Sequence, residues 1–215
     1  MDTRKRLSRI GIGLAIAIML AGLSVPALVS AAVPAVISPP VGDVVLELMG
    51  QVTNSSPTAS IQFGYLPYIQ GVDPLFSGMP ADEKSALFSF YTEATTTQVI
   101  NNGPFRIIIR EGTTTIYYSS TPSGDFATPD SFRGGMPVQV STMRQQVIVD
   151  TVEQSFTVVN VNTITNNAVL TLGTTDFQLG TVGQKYRTSL MGRLTDKGPP
   201  SGYFAGSAVT IPQAM

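Results

Sequence analysis

The apolar residues of this chain fall in short runs dense in Val, Ile, Thr, Phe and Tyr, with Gly, Pro, Asn and Asp between the runs. β-Branched and aromatic residues in alternation, bounded by turn formers, predict strands. The runs that fit are residues 43–52, 60–68, 85–93, 96–100, 105–110, 113–119, 137–150, 154–165, 168–172, 185–195 and 203–211. The only helical signal is SGMPADEKS, in which Pro80 opens a turn with Asp82 and Glu83 near its start. It predicts a short helical turn near 80–85.

The stretch FRIIIREGTTTIYYS, residues 105–119, reads as a hairpin with Glu111-Gly112 as a two-residue turn. In that register Phe105, Ile107, Ile109, Thr114, Ile116 and Tyr118 share the core face. Arg106, Ile108, Arg110, Thr113, Thr115 and Tyr117 share the other, with Arg106 opposite Tyr117. The two long runs that meet near Val152 have mixed faces. Met143, Gln145, Val147 and Val149 lie together, as do Phe156, Val158, Asn160, Asn162 and Ile164. Such strands suit a sheet with something on each side, including a partly polar interior.

One antiparallel series with almost no helix predicts an all-β fold. Two architectures satisfy it: an up-and-down barrel of about 8–10 strands, and a two-layer β-sandwich. Runs as long as 137–150 favour the barrel, because closure removes exposed edges. Gly192, Gly202 and Gly206 in the last strands permit sharp bending or close backbone approach.

The ends define the organisation. Arg4, Lys5, Arg6 and Arg9 precede an apolar run from Ile10 to Leu23, and small residues at 29–32 follow Pro26. That order is the pattern of a secretory signal peptide over residues 1–32. An uncleaved anchor is the competing reading, since apolar character continues to Ile37; Pro26 and the small residues favour cleavage. Residues 33–42 form a Pro-rich lead-in and 43–215 a single all-β domain. Losing residues 1–32 removes four of the 13 basic and one of the 14 acidic residues, so the net charge moves from −1 to −4. With no basic stripe, nucleic acid is not expected as a partner. Membrane contact is expected only through the signal peptide, and the final location is secreted, periplasmic or on the cell surface. A homo-oligomer that hides a sheet edge is compatible with this.

Composition narrows the chemistry. The chain has no Cys and no His. It therefore has no disulfide framework, thiol nucleophile or Ser-His-Asp triad, and it lacks the commonest transition-metal ligand. No cofactor is expected. A secreted chain without disulfides points to a bacterial rather than an animal source.

Six residues are candidates for ligand binding. Glu47 and Glu93 lie inside apolar strands, where a barrel-facing carboxyl could serve as an acid or base; on the other strand face they would meet solvent. Arg106, Arg110 and Arg144, with Arg187 and Arg193 on later strands, would form an anion site if several converged inside a barrel; otherwise they solubilise its outer face. Tyr117 joins them as the cross-strand partner of Arg106. The aromatic segment FGYLPYIQGVDPLFSG, residues 63–78, would plug a barrel end, cover an edge or gate a mouth. The expected role is a non-catalytic barrel that binds a small apolar or amphipathic ligand or acts as a surface or matrix scaffold. An enzyme of cyclase or isomerase type, using Glu, Tyr and Arg in a cavity, is the first alternative. An outer-membrane barrel is the second, disfavoured by the lack of aromatic girdles.

Overall fold

Alternating runs of this length can be satisfied by a sheet that closes on itself, and that is what forms. The structure, a computed structural model, describes residues 33–195 and 201–212; the expected signal peptide lies outside them. The strands are β1 (Ala35–Val36), β2 (Val44–Asn54), β3 (Ala59–Ile69), β4 (Phe88–Asn102), β5 (Phe105–Tyr118), β6 (Met136–Asp150), β7 (Ser155–Asn167), β8 (Leu170–Leu172), β9 (Thr175–Gln178), β10 (Lys185–Thr195) and β11 (Ser201–Ile211). Eight of them close a barrel in the order β10-β11-β2-β3-β4-β5-β6-β7, antiparallel at every neighbouring pair. The up-and-down barrel therefore holds and the sandwich does not. β1, β9 and β8 make a separate small sheet. In it the Pro-rich lead-in pairs in parallel with β9, Ala35 opposite Phe177.

The barrel is strongly sheared. Cross-strand partners traced around it from Arg106 run through Val149, Phe156, Gly192, Phe204, Gly50, Gly64 and Phe90 to Ile116. The circuit returns to β5 ten residues further on, and such a stagger sets the strand tilt and the lumen width. Phenyl rings alternate with glycines along it because the lumen cannot hold a side chain at every inward position. A Cβ on Gly192 would lie 2.4 Å from the Phe156 ring, and one on Gly202 2.7 Å from it. Gly192 and Gly202 thus make room for Phe156, while Gly206 allows close approach of the β10 backbone.

Two pairs of expected strands are each one strand. Residues 85–93 and 96–100 join in β4, with a bulge between Thr96 and Gln98 that resets the parity. Residues 105–110 and 113–119 join in β5, which runs straight through Glu111-Gly112. The hairpin expected there is corrected. Gly112 is required by close approach of β4, since a Cβ would sit 2.1 Å from the Glu93 carbonyl oxygen. Without a turn the parity of the first half inverts. Phe105, Ile107 and Ile109 face outward, and Arg106, Ile108 and Arg110 share the inner face with Thr114 and Ile116.

The turn expected near 80–85 is a single hydrogen-bonded turn. Asp82 accepts from the Lys84 and Ser85 backbone N–H groups through Oδ1, and its carbonyl accepts from Ala86. The 3-10 helix among the described residues is elsewhere, at Pro129–Arg133. It carries Phe132, which is fully buried against Phe63 and Tyr91 on the outer face of the barrel. The aromatic segment 63–78 accordingly divides: residues 63–69 belong to β3, Leu66, Ile69, Val72 and Leu75 join the main apolar cluster, and none of the segment lines the cavity described below. Phe63 stacks on Tyr91 at 6.4 Å, and Phe76 meets Tyr65 edge-on at 6.2 Å.

The two ends of the lumen differ. Long connections and the small sheet close one end, where Phe177, Leu179 and Leu170 join Phe88, Ile164 and Tyr186 in one apolar cluster. Among the described residues the other end carries short hairpin connections, and the lumen opens there. If the glycine–phenyl packing sets the lumen, Gly192→Ala should destabilise the protein by about 1–3 kcal/mol, because the added methyl also meets the Tyr203 carbonyl at 2.3 Å. Gly78→Ala, with nothing within 4 Å, should change stability by less than about 0.5 kcal/mol. Urea unfolding of both variants checks this; equal effects would contradict it.

Candidate functional site

At the open end the lumen holds a cavity of about 560 Å³. Most of its wall is aliphatic or aromatic: Val52, Val99, Ile108, Val147, Val149, Phe156, Val158, Leu194 and Phe204. Asn54, Ser55, Ser56, Pro57 and Thr151 rim it, and Gln62, Thr96, Arg106 and Arg110 complete the lining. The size and the mostly apolar wall with a few polar groups are those of a small-molecule site. Deeper in, the lumen narrows to a remnant of about 20 Å³ between Leu46, Phe90, Asn160 and Tyr186.

A hydrogen-bond network separates the open part from the filled part. Gln145, fully buried, accepts at Oε1 from Gln62 Nε2 at 3.1 Å and from Arg110 Nη1 at 3.3 Å. Its Nε2 donates to Asn160 Oδ1 at 3.0 Å. Below it, Asn162 Nδ2 donates to Thr188 Oγ1 at 3.0 Å, and the Thr92 and Thr114 hydroxyls pair at 2.8 Å. At the closed end the Tyr186 hydroxyl donates to Gln139 Oε1 at 3.2 Å and lies 3.0 Å from the Ser141 hydroxyl. Buried amides and hydroxyls are costly unless paired, and each of these gains a side-chain partner from another strand, whereas the buried Ser60 and Thr210 hydroxyls have none among the described residues.

Arg110 sits at the edge of this network. Its Nη2 donates to Asn54 Oδ1 at 2.8 Å and its Nε to Thr96 Oγ1 at 3.4 Å. Burial, with the charge of Arg106 as the smaller cause, pulls its pKa down to about 10. The guanidinium nonetheless remains a cation at neutral pH.

The six candidates divide by strand parity. Arg106 and Arg110 line the cavity together. Glu47, Glu93, Arg144 and Tyr117 occupy the opposite parity on β2, β4, β6 and β5 and lie on the outer face. Glu47 faces solvent across from Tyr68 and Ser207. Glu93 is 3.6 Å from Arg133, an exposed pair of small energetic weight. Arg133 also stacks over the Tyr91 ring at 4.7 Å. Arg144 is exposed across from Glu111, and Tyr117 packs against the outer aromatic cluster, away from Arg106. The expected Arg106–Tyr117 pair fails because it depended on the hairpin; in β5 Arg106 faces Asn101 and Val149. Arg187 and Arg193 are also exposed on the outside. Gln62, Gln145 and Asn160 were not among the candidates. Gln145 and Asn160 each shared a strand face with cavity-lining valines, and that was their only signal in the sequence.

Compared with known proteins, the chain matches no family model, no curated protein and no solved structure.

Complete burial pushes the Tyr186 phenol from its ordinary value of 10.0 up to about 12, against a smaller lowering by Ser141. Between these values the unfolded chain has released this proton and the folded one has not, so stability falls as pH rises through that window and is unaffected below it. The loss should reach on the order of 2–3 kcal/mol by pH 12. Tyr186→Phe should remove that share of the alkaline slope in urea unfolding. Parallel slopes for the two proteins from pH 9 to 12 would contradict the assignment.

Proposed function

We propose that the protein is a non-catalytic, exported binding protein whose barrel takes up a small apolar or amphipathic ligand through its open end. The observation that carries this reading is the cavity. A scaffold with no ligand would be expected to fill its lumen with side chains, as the closed end does, whereas the open end keeps about 560 Å³ behind an aliphatic wall. The enzyme alternative is weaker. It needs at least two converging reactive groups, and the cavity lining includes neither a carboxyl nor a phenol among the described residues. Glu47 and Glu93, on which it leaned, are outside. The outer-membrane alternative is weaker too, because Glu47, Glu111, Arg144 and Arg187 lie at outward positions within the strands. Charges on a lipid face are costly near the bilayer midplane.

N-phenyl-1-naphthylamine, a neutral dye that brightens in apolar surroundings, tests the cavity. It should bind the purified protein with a saturable rise in fluorescence. Val147→Trp, which places an indole in the cavity, should weaken binding by about tenfold or more, equivalent to roughly 1.4 kcal/mol, with the β-sheet circular dichroism retained. Absence of binding, or equal binding by the variant, would refute the reading.

A further inference from the structure

Arg110 is a buried cation among neutral neighbours. It is 6% exposed. Its three hydrogen bonds go to a hydroxyl and two amide oxygens, none of them charged. A guanidinium has five N–H groups, so one on each terminal nitrogen has no protein acceptor among the described residues. Both ion pairs among those residues belong to Arg133 on the outer face. No carboxylate among them therefore comes within 4.0 Å of Arg110 or Arg106. A charge removed from water without a counter-ion is strongly disfavoured. Here a second cation adds to the penalty: Arg106 lines the same cavity two inward positions nearer the mouth, and its charge reaches Arg110. The apolar wall raises the cost again, because a low dielectric lengthens the reach of both charges.

Nothing in the packing requires a cation at this position. Gln62 and Asn160 already satisfy the two ends of the Gln145 amide. An anion entering the cavity would relieve the repulsion and supply the missing acceptors, and a guanidinium fork suits a planar carboxylate. The remaining described wall is mostly aliphatic and aromatic and carries no further charge.

We propose that the ligand is an amphipathic monoanion, with a carboxylate held by Arg110 under the added field of Arg106 and an apolar body lying against Ile108, Val147, Val149 and Phe156. This rests on the cavity being a ligand site and adds the chemical class of the ligand. Two arginines, with no other charge among the described lining residues, exclude amphipathic cations by repulsion and distinguish an acid from the alcohol of equal length.

Displacement of N-phenyl-1-naphthylamine by decanoate, 1-decanol and decylamine at neutral pH is the test. Decanoate should compete at a concentration at least about tenfold lower than either of the others. In Arg110→Gln the ratio of decanoate to decanol affinity should fall to about one. Arg106→Gln changes an exposed rim residue and so avoids any folding defect at the buried site; it should reduce the ratio by severalfold, and added salt should do the same in the unaltered protein. Equal competition by decanoate and decanol would overturn the assignment, as would a preference for decanoate that survives in both variants. If the dye binds and none of the three displaces it, the carboxylate reading falls and the cavity reading stands. If the dye itself fails to bind, both fall.

Discussion

Closure of eight strands with a ten-residue stagger fixes the width of the lumen before any side chain is placed. Every strand then contributes alternate residues to one narrow interior. There is no room for a side chain beside each ring, so Phe156 lies over Gly192 and Gly202, and Phe90 and Phe204 both close on Gly50. The narrow lumen also lets the Gln62 amide on β3 reach Gln145 on β6, which pairs with its β7 neighbour Asn160. The filled half and the open half follow from where bulky residues stop. Toward the mouth the inward positions of β5, β6 and β7 include Ile108, Val147, Val149 and Val158, shorter than the rings that fill the closed half, and these line the cavity.

The polar network does more than satisfy its own atoms. An amide has one acceptor and one donor end, and the bonds from Gln62 and to Asn160 fix which way Gln145 points. Its oxygen therefore faces Arg110. The guanidinium is held by neutral acceptors at fixed distances, in a site where it keeps its charge and lacks a carboxylate partner among the described residues. Such an arrangement costs stability in the empty protein and returns it when an anion binds. Recognition in this account comes from preorganised charge at the floor and rim and from aliphatic area along the wall.

The architecture was legible because it depends on pattern alone. Long alternating runs, few helix formers and turn residues between runs lead to a closed sheet. The interior was only half legible. On β6 and β7 the residues that share a face were grouped in the sequence as the structure has them, with a partly polar interior among the readings, but which face is inward was left open. On β5 the grouping did not hold. Glu111-Gly112 has the composition of a tight turn, and the turn made a coherent apolar face of Phe105, Ile107 and Ile109. In the barrel these residues are outward, with Phe105 44% exposed and Ile107 between Ile100 and Ile148 in an apolar row on the surface. Hydrophobic alternation pointed to the wrong face because the lumen here is partly polar and the outer face partly apolar. One residue of parity also separates the two useful arginines from Tyr117. Gln145 and Asn160 sit opposite each other on consecutive strands, but bringing Gln62 to them was out of reach, since it needs β3 to meet β6 across the barrel.

A crystal structure of the protein grown with decanoate tests the account most directly. The account predicts the alkyl chain inside the open half of the lumen and the carboxylate about 2.7–3.2 Å from the Arg110 guanidinium, with Gln145 unmoved. A lumen closed by inward side chains, or a carboxylate out in solvent with the alkyl chain at the floor against Arg110, would contradict it.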